Sequence, residues 1–435
     1  MDLDALRQGL ADAPALAPQG RVRAVTGLSV RLALPGARVG DVVVLRRRGQ
    51  PLFAEVVGFE QGEAVALPLG DLTGVGADDP VESTGGPMEV AAGEALLGRV
   101  LDGLGRPADG RPMPSGLRPV PVDRAPPAAL GRRAVTEPLA TGVRAIDGLV
   151  TLGVGQRVGL FAGSGVGKST LLGAIARGTS ADVVVVALVG ERGREVGEFL
   201  ERSLGEAGRR RAVVVVATSD APALERLRAV QVATAVAEHF RDEGKSVMLL
   251  VDSVTRVARA QREVGLAAGE PPARRGYPPS VFALLPRLLE RSGQGERGSI
   301  TAIYTVLVEG GDMDEPIADE VRGILDGHIV LDRRIAARGH YPAIDVTVSL
   351  SRVMDSIVGE HHVTAARAVR GLVSAYEEKR DLITLGAYSK GSDARLDRAI
   401  AALPEIERFL QQSPNQMASL ESTASKLADI AQRYG

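Results

Sequence analysis

Long apolar runs alternate with helical patterns through the middle of the chain. Each run is nearly continuous, as expected of strands whose two faces are both covered by helices. Between the runs, apolar residues recur at helical spacing, for example over 194–207 and 222–243. This alternation predicts an α/β domain built on a parallel sheet. The candidate strands are 157–161, 182–190, 212–219, 247–252 and 300–308.

The pattern changes on either side of this region. From about residue 20 to 88, short β-rich runs are separated by Gly, Pro and Asp, which predicts a small barrel. Residues 103–137 are proline-rich, and we expect them to form loops because proline lacks a backbone donor. Past about 360 only helical patterns remain. We therefore expect a β-barrel domain over 19–88, an α/β domain over 89–358 and a helical domain over 359–435.

The first 18 residues place Leu3, Leu6 and Leu10 at helical spacing. Two interpretations stay open for the segment 1–18: a short amphipathic helix that docks on a partner, or a frayed terminus. The segment carries acids and no long apolar core, unlike a secretory signal. No apolar run reaches the roughly 18–20 residues needed to span a bilayer. We therefore expect a soluble, cytoplasmic protein.

The composition narrows the function classes. The 435 residues are 45% hydrophobic and 24% charged, with a net charge of −2, which is typical of a globular protein and gives no overall attraction to nucleic acid. Cysteine is absent, which excludes disulfides and thiolate metal sites. Aromatic residues make up only 3%, which disfavours a protein that stacks single-stranded bases. The histidines lack metal-ligand spacing and are interpreted as structural or surface residues.

The stretch LFAGSGVGKSTLL, residues 160–172, has the form of a phosphate-binding loop. It follows a candidate strand and opens a helical pattern, so its backbone N–H groups and the helix N-terminus can face an anion. Lys168 can reach the β- and γ-phosphates, and Ser169 can ligate Mg²⁺. The first position is Ala162 where glycine is usual, and a small residue there still permits the turn. The predicted phosphate-binding residues are Gly163, Ser164, Gly165, Val166, Gly167, Lys168, Ser169 and Thr170.

Two acids end neighbouring candidate strands. Asp252 follows the run VMLLV, where an acid usually holds Mg²⁺ through water. Glu191 follows VVVVALVG and is placed to orient an attacking water. A second interpretation of Glu191, as a cap on the next helix, stays open at this point.

Several longer motifs resemble those of a known family. LLGRVLDGLGRP, GERGREVGEFL and EPIADEVRGILDGHIVLDR, together with the loop region, resemble the type III secretion ATPases. These serve bacterial flagellar export and injectisomes and are relatives of the catalytic subunit of rotary ATP synthases. The resemblance covers about residues 20–412. It implies that 89–358 is a RecA-like, P-loop ATPase domain and that six identical subunits form a ring with ATP and Mg²⁺ bound between them.

The resemblance also implies roles for residues in the ATP site. Glu191 matches the catalytic glutamate, and Arg192 matches a residue near the γ-phosphate. Asp252 matches the Mg²⁺ aspartate, and Arg256 matches an arginine of the same network.

Two further site residues follow from the resemblance alone. Tyr341 matches the aromatic residue that packs on adenine. Arg352 matches an arginine finger that reaches into the neighbouring subunit's site.

The resemblance implies an ATPase that energises protein export and releases or unfolds substrates carried by chaperones at the cytoplasmic face. The stretches GAYSKGSD and RGILDGHIVLDR favour flagellar export, and an injectisome system stays open. A rotary ring subunit is an alternative, but LGAYSKGSDARLDRAI stands where that subunit carries an acidic patch. A hexameric nucleic-acid translocase is a further alternative.

The implied partners lie around such a ring. They are a stator-like regulator at residues 1–18, a central stalk protein, export chaperones and substrates, and an export gate at the membrane, without nucleic acid. The segment 269–280, with Arg274, Arg275 and Tyr277, is expected to line or approach the central channel. The implied location is cytoplasmic, peripherally associated with the inner-membrane export apparatus.

Overall fold

The computed structural model describes residues 19–435. The described residues form two compact units, 19–88 with 264–270 and 89–263 with 271–435. The predicted docking segment 1–18 lies outside the described residues. Within the described part of the chain, no helix has the length and apolarity needed to cross a membrane.

The first unit is a closed barrel of antiparallel strands, which confirms the predicted fold of this region. Val30 and Leu32 alternate with more exposed residues along β2 and point into the barrel, where they pack with Val22 and Leu45. The strands close in the order β1-β2-β5-β4-β3-β6. Their bounds are β1 Gln19–Thr26, β2 Ser29–Ala33, β3 Asp41–Leu45, β4 Leu52–Glu60, β5 Glu63–Pro68 and β6 Pro80–Pro87.

The second unit is built on a nine-stranded sheet, in which all five predicted strands appear within one residue of their predicted bounds. The order is β8-β14-β13-β15-β17-β12-β18-β19, with β16 on β17. The seven strands β8, β14, β13, β15, β17, β12 and β18 are parallel to one another. Strand β16 is antiparallel to β17, and β19 is antiparallel to β18. The pairs β7-β9 and β10-β11 form two small sheets. The bounds are β7 Glu89–Ala92, β8 Val100–Asp102, β9 Arg118–Pro121, β10 Pro138–Leu139, β11 Leu152–Gly153, β12 Arg157–Ala162, β13 Val183–Glu191, β14 Ala212–Thr218, β15 Ser246–Asp252, β16 Gly293–Gln294, β17 Ser299–Leu307, β18 Gly327–Leu331 and β19 Leu350–Ser351.

Helices surround this sheet, and one differs from its prediction. The pattern over 194–207 predicts one helix, but the segment is divided into α3, a π-helical stretch Phe199–Leu204, and α4. Gly205 begins α4 with a φ of 62°, a positive value that glycine adopts readily and that interrupts a regular helix. The helices are α1 Arg144–Leu149, α2 Lys168–Gly178, α3 Gly193–Glu198, α4 Gly205–Arg210, α5 Ala223–Asp242, α6 Val254–Ala267, α7 Pro279–Leu289, α8 Pro316–Ile324, α9 Arg333–Ala337, α10 Met354–Ile357, α11 Glu360–Thr384, α12 Ala394–Leu410 and α13 Leu420–Tyr434.

The C-terminal helices α11, α12 and α13 share one core with the sheet region. Val369, Ile406 and Leu427 are buried in the same hydrophobic cluster as Leu160 and Ile175. Core contacts therefore cross the predicted boundary between residues 358 and 359, and the division into domains stays a prediction. The carboxyl ends of β12, β13, β15 and β17 lie at one edge of the sheet, where parallel α/β folds place their ligand sites.

Candidate active site

The phosphate-binding loop joins β12 to α2. Gly165 and Gly167 have φ angles of 78° and 88°, in the left-handed region that favours glycine, and Gly167 directly precedes the first residue of α2. Val166 is buried and anchors the loop between them. Ala162 is the last residue of β12 and pairs with both neighbouring strands, so its methyl group is accommodated in the sheet.

Lys168 joins two carboxylates at the mouth of this loop. Its Nζ donates to Oε1 of Glu191 at 3.3 Å and to Oδ1 of Asp252. Asp252 is 2% exposed and also accepts a 2.8 Å hydrogen bond from Oγ1 of Thr305. Buried charges of this kind need partners, and here each charged group has one. Thr305 comes from β17, which lies between β12, the strand that leads into the loop, and β15, the strand of Asp252. Sequence reasoning did not identify it.

Glu191 is held from a second side by Arg256. Nη1 of Arg256 lies 2.7 Å from Oε1 of Glu191, and Glu191 is buried. The side-chain contacts of Glu191 are with Lys168 and Arg256 rather than with the backbone N–H groups that begin α3, which disfavours the helix-cap interpretation. Glu195 follows one turn later, and a hydrogen bond with the Glu191 carboxyl lowers the pKa of Glu195, with further lowering by the charge of Arg192.

These groups line a cavity of about 530 Å³, here called the phosphate cavity. It is lined by the predicted loop residues except Val166, together with Glu191, Arg192 and Arg256. Sequence reasoning missed four charged lining residues, because nothing in their local pattern distinguishes them from surface charges. They are Glu195, Arg259, Glu309 and Arg333.

A second cavity of about 390 Å³, here called the base cavity, lies at the start of α2. Tyr341 lines it and is 42% exposed, and a methyl group added at Gly167 would lie 3.4 Å from the Tyr341 ring. The backbone oxygen of Tyr341 accepts a 2.8 Å hydrogen bond from the backbone N–H of Gln412. The remaining lining is largely apolar, which suits a planar base. It consists of Val143, Gly165, Thr170, Leu171, Ala174, Pro342, Gln412, Ser413, Pro414 and Gln416.

Arg352 is the predicted site residue that the fold leaves apart from the others. It follows the edge strand β19 and lines neither cavity. Its Nη2 donates a 3.5 Å hydrogen bond to the carbonyl of Arg322, and its backbone N–H donates to Asp326 at 3.0 Å. This position is compatible with the implied role of Arg352 in a neighbouring subunit.

The expected approach of the segment 269–280 to a central channel stays a prediction, and its three named side chains differ in exposure. Arg274 and Arg275 are exposed, and each forms a surface ion pair. Tyr277 is buried, with its ring 5.8 Å from the Arg262 guanidinium and packed edge-on against Phe282. The arginines are therefore available to a channel, whereas Tyr277 serves the packing of its own chain.

The residues present fit a magnesium ion held jointly by protein and nucleotide. Ser169 and Asp252 supply a hydroxyl and a carboxylate, and Mg²⁺ in phosphate sites is typically bound by one or two such oxygens together with the phosphates. Within residues 19–435, no group of three or more His, Cys, Asp and Glu side chains is arranged to hold a metal. His328 and His362 instead face backbone carbonyl groups.

Comparisons with known proteins agree with this geometry. Residues 142–351 match the ATP synthase alpha/beta family, nucleotide-binding domain, and residues 358–429 match the T3SS EscN ATPase C-terminal domain. The chain is 51% identical to the flagellum-specific ATP synthase of Bacillus subtilis (94% of each chain). It is 52% identical to the type 3 secretion system ATPase of Xanthomonas euvesicatoria (94% of this chain and 93% of the relative).

The chain belongs to the family of type III secretion ATPases and flagellum-specific ATP synthases. It is therefore an ATP hydrolase that binds nucleotide, which confirms the resemblance seen in its motifs. The fold matches the assembled ATPase EscN in complex with its central stalk EscO, from the enteropathogenic E. coli type III secretion system. That match has a TM-score of 0.88 at 46% identity and covers 95% of this chain and 100% of EscN.

Proposed function

We propose that this chain hydrolyses MgATP in a six-membered ring and energises protein export through a flagellar or injectisome type III apparatus. The observation that carries the proposal is the position of Lys168, between Glu191 and Asp252 at the mouth of the phosphate-binding loop. A cation in this place faces the phosphates of a nucleotide on the loop. A carboxylate beside it faces the water that attacks them.

The residues then divide the work of hydrolysis. The N–H groups of residues 163–170 and the ammonium of Lys168 bind the phosphates. Glu191 orients the attacking water and takes up its proton, and the Arg256 guanidinium fixes the carboxylate for that task. Arg192 is exposed at the cavity and approaches the terminal phosphate.

Ser169 and Asp252 would hold Mg²⁺. The ion, when bound, supplies positive charge to the transferring phosphate group. Asp252 is fixed for this role by Thr305, and its burial keeps the carboxylate away from bulk water. Tyr341 packs on the adenine base, and Arg352 completes the site of the next subunit.

The binding partners that we propose for this chain are inferred from its similarity to known secretion ATPases. EscN is assembled with a central stalk, and the likeness to it supports a ring in which Arg274 and Arg275 approach a stalk protein. Chaperones deliver export substrates, which the ring releases or unfolds at the cytoplasmic face below a membrane gate. Residues 1–18 bind a stator-like regulator, and the ring is peripherally associated with the inner membrane. The match of residues 358–429 to the EscN C-terminal domain favours export over a rotary synthase role.

The test is Lys168→Ala, with Lys245→Ala as the matched control. Lys245 pairs with Glu94 at 3.5 Å on the surface of the same unit, and such pairs contribute little to stability. We expect Lys168→Ala to abolish ATP hydrolysis by purified protein and export of substrates by cells, with unchanged circular dichroism. Lys245→Ala should retain both activities. Normal turnover by folded Lys168→Ala protein would overturn the site, and export without turnover would overturn its coupling to export.

A further inference from the structure

Arg333 lies beside the phosphate-binding loop, although the two are far apart in the sequence. Strand β18 pairs in parallel with β12, and Leu331 stands opposite Ala162. The residues that follow these strands therefore emerge side by side at the same edge of the sheet. One strand continues into Gly163 of the loop, and the other continues through Asp332 into Arg333, the first residue of α9.

The Arg333 guanidinium approaches the loop where the loop has no side chain. A methyl group added at Gly163 would lie 3.4 Å from Nη2 of Arg333. Arg333 also lines the phosphate cavity. Glycine at this position thus leaves the space between the loop backbone and the guanidinium open.

Arg333 differs from the other cationic residues of the phosphate cavity, because each of those has a carboxylate partner. Within the described residues 19–435, the Arg333 guanidinium forms neither a hydrogen bond nor an ion pair. The partnered cations are Lys168 with Glu191 and Asp252, Arg192 with Glu195 at 3.8 Å, Arg256 with Glu191 at 2.7 Å, and Arg259 with Glu309 at 3.3 Å.

The acid nearest in sequence to Arg333 is engaged by the next residue. Asp332 caps α9 by accepting hydrogen bonds from the backbone N–H groups of Arg334 and Ile335. Its carboxylate also pairs with the Arg334 guanidinium at 3.1 Å. The two adjacent arginines therefore have different surroundings. Arg334 is paired with Asp332, whereas the charge of Arg333 faces the phosphate cavity.

We propose that Arg333 binds the polyphosphate of the nucleotide held by the loop of its own chain. The inference rests on the proposed phosphate site and adds a ligand to it. A guanidinium presents parallel N–H donors that match phosphate oxygens, and these charge-assisted hydrogen bonds are stronger than neutral ones. Arg333 acts within one subunit, which distinguishes it from Arg352.

The test measures binding rather than turnover. The non-hydrolysable analogue adenosine 5′-(β,γ-imido)triphosphate is titrated with Mg²⁺ into the full-length chain in a calorimeter. We expect Arg333→Ala to weaken binding about tenfold, at the low end for a hydrogen bond to a charged group. Arg333→Lys keeps the charge and loses the paired donors, so its affinity should lie between those of Arg333→Ala and the wild type. Arg334→Ala should bind as the wild type does.

Lys168→Ala distinguishes failure of this inference from failure of the proposed site. If Lys168→Ala loses binding while Arg333→Ala stays within about twofold of wild type, the role of Arg333 is wrong and the site stands. If Lys168→Ala binds normally, the proposed site itself is wrong. Equal weakening by Arg334→Ala would also overturn the inference, because it would show a general effect of α9. Melting temperatures of all variants verify that each one is folded.

Discussion

The phosphate cavity and the edge around Arg352 are opposite kinds of surface. In the cavity, Lys168 is partly buried and pairs with two carboxylates of its own chain. At the edge, the Arg352 guanidinium has one long hydrogen bond to a backbone carbonyl, and Val348 and Leu350 nearby are 51% and 42% exposed. This edge therefore exposes one cation and two apolar side chains, whereas Lys168 is paired within its own chain.

This difference indicates how the catalytic work is divided. The groups proposed to bind phosphates and to position water lie together within one chain, so the proposal predicts that a single subunit binds nucleotide. In the proposed mechanism, Arg352 stabilises charge in the transition state, and because it faces outward it needs a neighbouring subunit. Binding should therefore be a property of the subunit, and turnover a property of the assembly.

The largest effect is expected from a mutation of Arg352, which should remove turnover and leave nucleotide binding intact. Arg352→Ala should lower kcat by at least about 10³-fold, as arginine fingers supplied in trans do, with little change in nucleotide affinity. Arg367→Ala is the matched control, since Arg367 is also exposed and forms a surface ion pair with Asp355. Steady-state hydrolysis and calorimetric binding measure the two quantities separately.

Mixing sharpens this test. A ring of Arg352→Ala and Lys168→Ala subunits contains interfaces with an intact loop on one side and an intact arginine on the other. Two inactive proteins should then recover partial activity. A specific activity that stays constant on dilution to monomers would contradict the shared site.

A smaller effect is expected inside the cavity. Glu191→Gln keeps the shape of the side chain and loses its ability to take a proton, so turnover should fall by about 10²–10⁴-fold while ATP still binds. Glu206→Gln, in an exposed ion pair on α4, serves as the control. Single-turnover release of phosphate measures the loss. A decrease of less than about threefold would show that another residue orients and deprotonates the attacking water.

The smallest effect is expected at the base cavity. Tyr341→Ala should raise KM for ATP by about fivefold with kcat nearly unchanged, near the low end for stacking of a base on an aromatic ring. The low end applies because the ring is 42% exposed. Tyr341→Phe retains the ring and should match the wild type. An equal loss in both variants would point to the hydroxyl group instead.

The sequence predicts the parts of this molecule whose signal is local. The five central strands are recognisable because each is a continuous apolar run, and the loop because its glycines and Lys168 are adjacent in the chain. Strand β18 is shorter and alternates in burial, so it does not appear as an apolar run. Arg333 follows it in a cluster of charges and is identifiable only when parallel pairing places it beside Gly163.

Other parts depend on contacts between distant segments. The residues around Gln412 join the base cavity from the far end of α12, and nothing in their pattern indicates a base. Arg352 is identified by family resemblance alone, because an exposed arginine has no distinguishing pattern within its own chain. Tyr277 lies in a Gly/Pro-rich segment, which is why the sequence suggests a channel residue. In the structure its ring instead packs against Phe282 and the Arg262 guanidinium.

The connection after α12 ties the base cavity to the C-terminal helices. Nε2 of Gln412 donates to the carbonyl of Gly142 at 2.7 Å, and Oε1 of Gln412 accepts from the backbone of Arg144 at 2.8 Å. The Arg144 guanidinium in turn donates to the carbonyl of Phe409 at 2.6 Å. A displacement of these helices would therefore move residues that line the base cavity. By thermodynamic linkage, any displacement of the helices that weakens nucleotide binding is disfavoured by the same free energy when nucleotide is bound.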